Sequence, residues 1–97
     1  LMQSSHQALT EPEIWEKDLA MVREAGTIIA EVTNPSLGVG YEIAKAEEWG
    51  KPILALYRPA PDRRLSAMIA GSPKVQLVEY GEVEQLQSVI SKFLKNL

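Results

Sequence analysis

Apolar residues recur at Ile14, Trp15, Leu19 and Val22, the spacing of one face of an α-helix. Thr10 followed three residues later by Glu13 predicts a capping box at its start, with Pro12 in the first turn and Gly26 as the stop. Residues 1–9 have no period and read as a loop. Thr27 to Val32 is a short β-rich run that Asn34-Pro35-Ser36 breaks. Beyond Gly38 and Gly40, Val39, Ile43 and Ala46 define a second helix face, closed by Gly50 and Pro52. Ile53 to Tyr57 is continuously apolar, as in a strand covered on both faces. A Pro-rich charged loop, Arg58 to Arg64, leads to a short helical piece near Leu65 to Ala70 and a third strand at Val75 to Val78. Val83, Leu86, Val89, Ile90, Phe93 and Leu94 then predict a terminal amphipathic helix.

Helices alternating with short buried strands mean an α/β fold, a doubly wound parallel sheet joined by crossover helices. Three strands make a thin sheet, and the edge before the first would lie bare. The expectation is one domain over residues 1–97 that lacks its first βα unit. Ninety-seven residues leave room for one core only.

The net charge of −3 argues against a general binder of nucleic-acid polymers. With no cysteine and one histidine (His6, given no role), disulfides, thiol nucleophiles and His-rich metal sites are excluded. No apolar run is long enough to span a bilayer, and the first residues do not read as a signal peptide. A cytoplasmic protein is expected, or a nuclear one in a eukaryote.

In open α/β sheets, ligands bind beyond the carboxyl ends of the strands. The loop after the first strand, with Ser36, Gly38 and Gly40, runs into a helix whose free amides suit a phosphate. The plainer alternative is a turn whose glycines relieve packing. Glu42 follows on that helix, where the dipole is expected to keep a carboxylate ionised, as a nucleophile requires; ordinary charge–dipole stabilisation is the alternative. Asp18 lies one turn after Ile14 and one before Val22, on or beside the core-facing stripe. An acid there needs a donor or a task in a cleft, unless the register slips by one and returns it to solvent. If the two carboxyls meet, they form the pair of a retaining glycosidase, with Glu42 ionised and Asp18 more easily protonated. Ser66 is either a helix cap or a phosphate donor. Trp15, Trp49 and Tyr57 read as core or interface aromatics.

The stretch Ala30-Glu31-Val32-Thr33-Asn34-Pro35-Ser36-Leu37-Gly38-Val39-Gly40-Tyr41-Glu42, with Gly50-Lys51-Pro52-Ile53-Leu54 and Leu65-Ser66-Ala67-Met68-Ile69, resembles the 2'-deoxynucleoside 5'-phosphate N-hydrolases of the nucleoside 2-deoxyribosyltransferase family. The resemblance runs from about Trp15 to Tyr80. It implies a flavodoxin-like fold, a homodimer with shared sites, and cleavage of the N-glycosidic bond of deoxynucleoside monophosphates without a metal or cofactor. It further implies Glu42 as nucleophile at C1' and Asp18 as partner carboxylate. Ser36 and the amides around Gly38 and Gly40 would hold the 5'-phosphate, with Ser66 reaching it from the neighbouring subunit. Family members begin with a strand and a Gly-rich loop, and nothing in Leu1 to Thr10 matches that unit. Two serines at the phosphate positions favour hydrolysis of a monophosphate. The alternatives are a deoxyribosyltransferase and a non-catalytic nucleotide-binding module.

Overall fold

The computed structural model describes residues 8–97. The sequence-based loop over residues 1–9, and His6 within it, fall largely outside that range; of the two residues left, Ala8 is helical.

Helix α1 (Glu11–Glu24) starts at the expected capping box: Thr10 Oγ1 accepts from the Glu13 amide at 3.3 Å, and the Thr10 amide donates to Glu13 Oε1 at 2.8 Å. The Thr10 amide, and after it the Thr10 hydroxyl at 3.0 Å, donate to the Glu13 carboxylate and hold it below its ordinary range. The helix ends at Glu24, just before Gly26 as expected, but without a left-handed glycine. Ala25 caps it in an extended conformation, and the Lys51 ammonium takes the Arg23 carbonyl at 2.6 Å. A left-handed glycine closes α2 (Leu37–Glu48), as expected: Gly50 has φ 68°. There the Gly50 and Lys51 amides return to the Glu47 and Ala46 carbonyls at 3.1 and 2.9 Å, a Schellman ending.

The strands are β1 (Ile28–Glu31), β2 (Ile53–Tyr57) and β3 (Val75–Glu79), parallel and in the order β1-β2-β3. Ile28 pairs with Ile53, and Ile53 with Val75. Two right-handed crossovers that advance in the same direction must lie on the same face. Accordingly α2 and the short α3 (Ala67–Ala70) join α1 on one side, through Val22, Ile43, Ala46 and Ile69 against Ile53, Ala55 and Tyr57. On the other side α4 (Leu86–Lys95), entered through a 3-10 turn (Val83–Gln85), packs Phe93, Val89 and Ile90 against Leu54 and Leu56. All five β2 residues are therefore buried, as their unbroken apolar run predicts. Val83 and Leu94, placed on the core seam by spacing, are exposed: the 3-10 turn rotates Val83 off the face, and Leu94 lies at its margin. The result is the expected three-stranded α/β sheet with helices on both faces. Ile29, on the α4 side of β1, is 39% exposed because α4 covers only β2 and β3.

Candidate active site

Helices α1 and α2 lie side by side and run in the same direction. Trp15 Nε1 donates to the Tyr41 hydroxyl at 3.1 Å near their starts, and the Arg23 guanidinium sits 4.7 Å from the centre of the Trp49 ring near their ends. Asp18 and Glu42 lie between these two contacts, both half-buried, Asp18 beside the buried Leu19. Burial, and then the negative charge of Asp18, push the Glu42 carboxyl above the usual glutamate range. The structure thus brings the two carboxyls within electrostatic reach, which spacing alone left open.

The direction of that shift corrects the expectation that the helix dipole keeps Glu42 the more readily ionised. Helix α2 begins at Leu37, which makes Glu42 its sixth residue. The dipole acts within about one turn of the end, so a like charge and lost hydration prevail at Glu42.

Ser36 is the N-cap of α2; its Oγ accepts from the Val39 amide at 3.2 Å. Ser66 caps α3 in the same way, accepting from the Met68 amide at 3.2 Å. Both hydroxyls therefore have the capping task foreseen for Ser66, and both border one groove. That groove, about 640 Å³, is lined also by Leu37, Gly40, Tyr41, Ala44 and Met68. Asp18, Glu42 and Gly38 do not line it. The reason is helical geometry: at roughly 100° per residue, Gly38 and Glu42 share the face toward α1, whereas Gly40, Ala44 and Glu47 share another. Six expected site residues are thus divided by α2 into two groups, with Ser36 at the helix end between them.

The glycines do not relieve packing within this chain. A Cβ on Gly40 would meet nothing within 4 Å, and one on Gly38 only Ser36 Oγ at 3.9 Å. The space beside them is open. So is the groove's rim, where Leu37 is 96% and Met68 84% exposed.

A second cluster, missed by the sequence reading, closes the carboxyl edge of the sheet. Glu31 accepts from the Thr33 amide (3.0 Å), the Thr33 hydroxyl (2.5 Å) and the Tyr80 hydroxyl (2.7 Å), and Thr33 Oγ1 in turn accepts from the Arg58 amide at 2.9 Å. Burial works to raise the Glu31 pKa, but the bonds from Thr33 and Tyr80, with Arg63 nearby, outweigh it and hold the carboxyl below its usual range. The same bond to Glu31 pushes the Tyr80 phenol up. The only sequence signal was an acid at the last position of a strand, which is indistinguishable from a solvated one until β3 is placed. Among the described residues no group of three or more histidine, aspartate or glutamate side chains converges as a metal site would, and no helix is long and apolar enough to cross a membrane.

No protein-family model matches the chain. Individual relatives do. A 5-hydroxymethyl-dUMP N-hydrolase of Mus musculus is 46% identical over 85 residues, 84% of this chain and 49% of the mouse protein. A Syntrophotalea carbinolica protein, provisionally named a 2'-deoxynucleoside 5'-phosphate N-hydrolase, is 43% identical over 84% of this chain and 57% of its own length. The chain thus spans about half the length of these two relatives. It covers 81% of a 5-hydroxymethyl-dUMP N-hydrolase of Branchiostoma floridae at 41% identity. Relatedness of that extent, over the segment that carries Asp18, Ser36 and Glu42, places the chain in the family of 2'-deoxynucleoside 5'-phosphate N-hydrolases.

Proposed function

We propose that this chain carries the catalytic carboxylates of a hydrolase that cleaves the N-glycosidic bond of a 2'-deoxynucleoside 5'-monophosphate, yielding free base and 2-deoxyribose 5-phosphate. The observation that carries the reading is the Asp18–Glu42 pair, half-buried between two parallel helices, with Glu42 pushed up by burial and by its neighbour. Two carboxyls close together serve a retaining glycosidase. Glu42, once ionised, attacks C1' and forms a glycosyl ester as the bond to the base breaks. Asp18 in its protonated form gives the departing base its proton, and water then hydrolyses the ester, returning a proton to Asp18. A raised pKa makes the ionised Glu42 more basic and hence a stronger nucleophile.

Ser36, with the amides of the first turn of α2, takes the 5'-phosphate; Gly38, on the face of Glu42, leaves the backbone open to the sugar phosphate. Ser66 and Gly40 lie across α2 from this chain's own carboxylates. That separation supports a homodimer in which Ser66 completes the neighbour's phosphate site and the Leu37–Met68 rim is covered by the second copy.

The test is incubation with a panel of deoxynucleoside monophosphates and measurement of released base. Release that disappears in Glu42→Ala supports the reading. A new nucleoside formed when a second base is added would make the protein a transferase instead. Unchanged nucleotide affinity in Glu42→Ala with no turnover in the parent chain would leave a binding module.

A further inference from the structure

The β1–α2 loop is short and polar, and it ends on the serine assigned above to phosphate. Val32, the first residue of the loop, is buried in the core and its amide donates to the Leu56 carbonyl at 2.8 Å, whereas Thr33, Asn34, Pro35 and Ser36 lie outside both hydrophobic clusters. Beyond Val32, the loop is held by the Glu31 cluster. The Thr33 amide and hydroxyl are bound to Glu31 from within the loop, and Thr33 Oγ1 is bound by the Arg58 amide at the end of β2. Tyr80, one residue beyond β3, closes the set by donating to Glu31 Oε2 at 2.7 Å. The Tyr80 ring is itself fixed, 9% exposed and packed in the cluster of Leu54, Leu56 and Phe93, and its amide donates to the Tyr57 carbonyl at 3.0 Å. The ends of β1 and β3 are therefore joined through one carboxylate, and the end of β2 through the Arg58 amide, to Thr33, three positions before Ser36.

We propose that Glu31 and Tyr80 are positioning residues: a latch that holds the β1–α2 loop, and through it Ser36 and the first amides of α2, in the geometry that receives a 5'-phosphate. The inference rests on the assignment of Ser36 to phosphate. Its physical content is preorganisation. A phosphate site made of backbone amides and one hydroxyl loses affinity if the loop must be ordered on binding, and a carboxylate with three donors removes that cost beforehand. Neither residue touches the ligand. The buried side of Tyr80 belongs to the core, and only its hydroxyl belongs to the latch.

Tyr80→Phe separates those two roles, because the ring is kept and one donor is lost. The probes are 2'-deoxyuridine 5'-monophosphate and unphosphorylated 2'-deoxyuridine, titrated calorimetrically, together with amide hydrogen exchange on the unliganded protein. The latch predicts faster exchange at the Thr33 and Arg58 amides and in the first turn of α2, with the β2 amides unchanged. It also predicts a loss of about fivefold in affinity for the monophosphate and none for the nucleoside. Unchanged exchange in that loop overturns the latch. Faster exchange with equal effects on the two ligands, or none, overturns the positioning role, because a structural tyrosine would not discriminate between them. Ser36→Ala is the independent control. If it does not weaken the monophosphate, or if the parent chain binds none, the phosphate assignment fails by itself, and the latch then stands or falls on the exchange rates.

Discussion

Glu42 and Glu31 are both glutamates near the carboxyl edge of the sheet, and their surroundings drive them in opposite directions. Glu42 is half-buried on α2, faces the like charge of Asp18 and rises. Glu31 ends β1, receives three hydrogen bonds from Thr33 and Tyr80 and falls, despite the burial that opposes it. The difference lies in the neighbours. A carboxylate surrounded by donors is stable as an anion and serves as a fixed structural acceptor; one confronted by another carboxylate is held in tension and is available for chemistry.

The two residues should therefore separate in every assay. Glu42→Gln should abolish base release, with a loss on the order of 10³-fold or more in kcat, as for other essential nucleophiles; a variant retaining a tenth of the rate would remove Glu42 from the reaction. Glu31→Gln should cost stability instead, about 1 kcal/mol after discounting for the exposure of the group, measured by urea unfolding.

The pH dependence follows from the signs. A depressed carboxyl stabilises the fold above the ordinary carboxyl range and loses that contribution as pH falls through its folded pKa. The difference in stability between parent and Glu31→Gln should accordingly shrink below about pH 4. A raised carboxyl behaves in reverse, favouring the fold at low pH and opposing it once ionised. Asp18→Asn should then lower the midpoint of the Glu42 carboxyl in an NMR titration; an unmoved midpoint would mean that burial alone raises it. The smallest effect concerns Glu42→Gln again. Relief of repulsion at neutral pH should raise Tm slightly, on the order of 1–2 °C, and that gain should vanish in acid. Loss of activity with gain of stability is the pattern of a strained functional group.

The comparison also explains what could be read along the chain. The capping box at Thr10–Glu13, the buried β2 and the order of helices and strands are local or periodic features, set by residues three or four apart or by an unbroken apolar run. The position of the α1 ending was legible from Gly26, but not its means, since the carbonyl a left-handed glycine would satisfy is taken by Lys51, 28 residues from Arg23. Asp18 stood out because Ile14 and Val22, one turn away on either side, put an acid on or beside an apolar stripe. Glu31 did not, since nothing near it in sequence says that a tyrosine 49 positions later will reach it.

Sequence by itself determined the elements, their parallel order and the residue types available for chemistry, because hydrophobic period and capping act over one or two turns. Tertiary structure alone decided three further things: that Asp18 and Glu42 come within electrostatic reach, that Ser66 lies across α2 from them, and that Tyr80 closes on Glu31. Each depends on where two distant segments pack, and electrostatics and hydrogen bonding respond to that distance, which no count of residues along the chain contains.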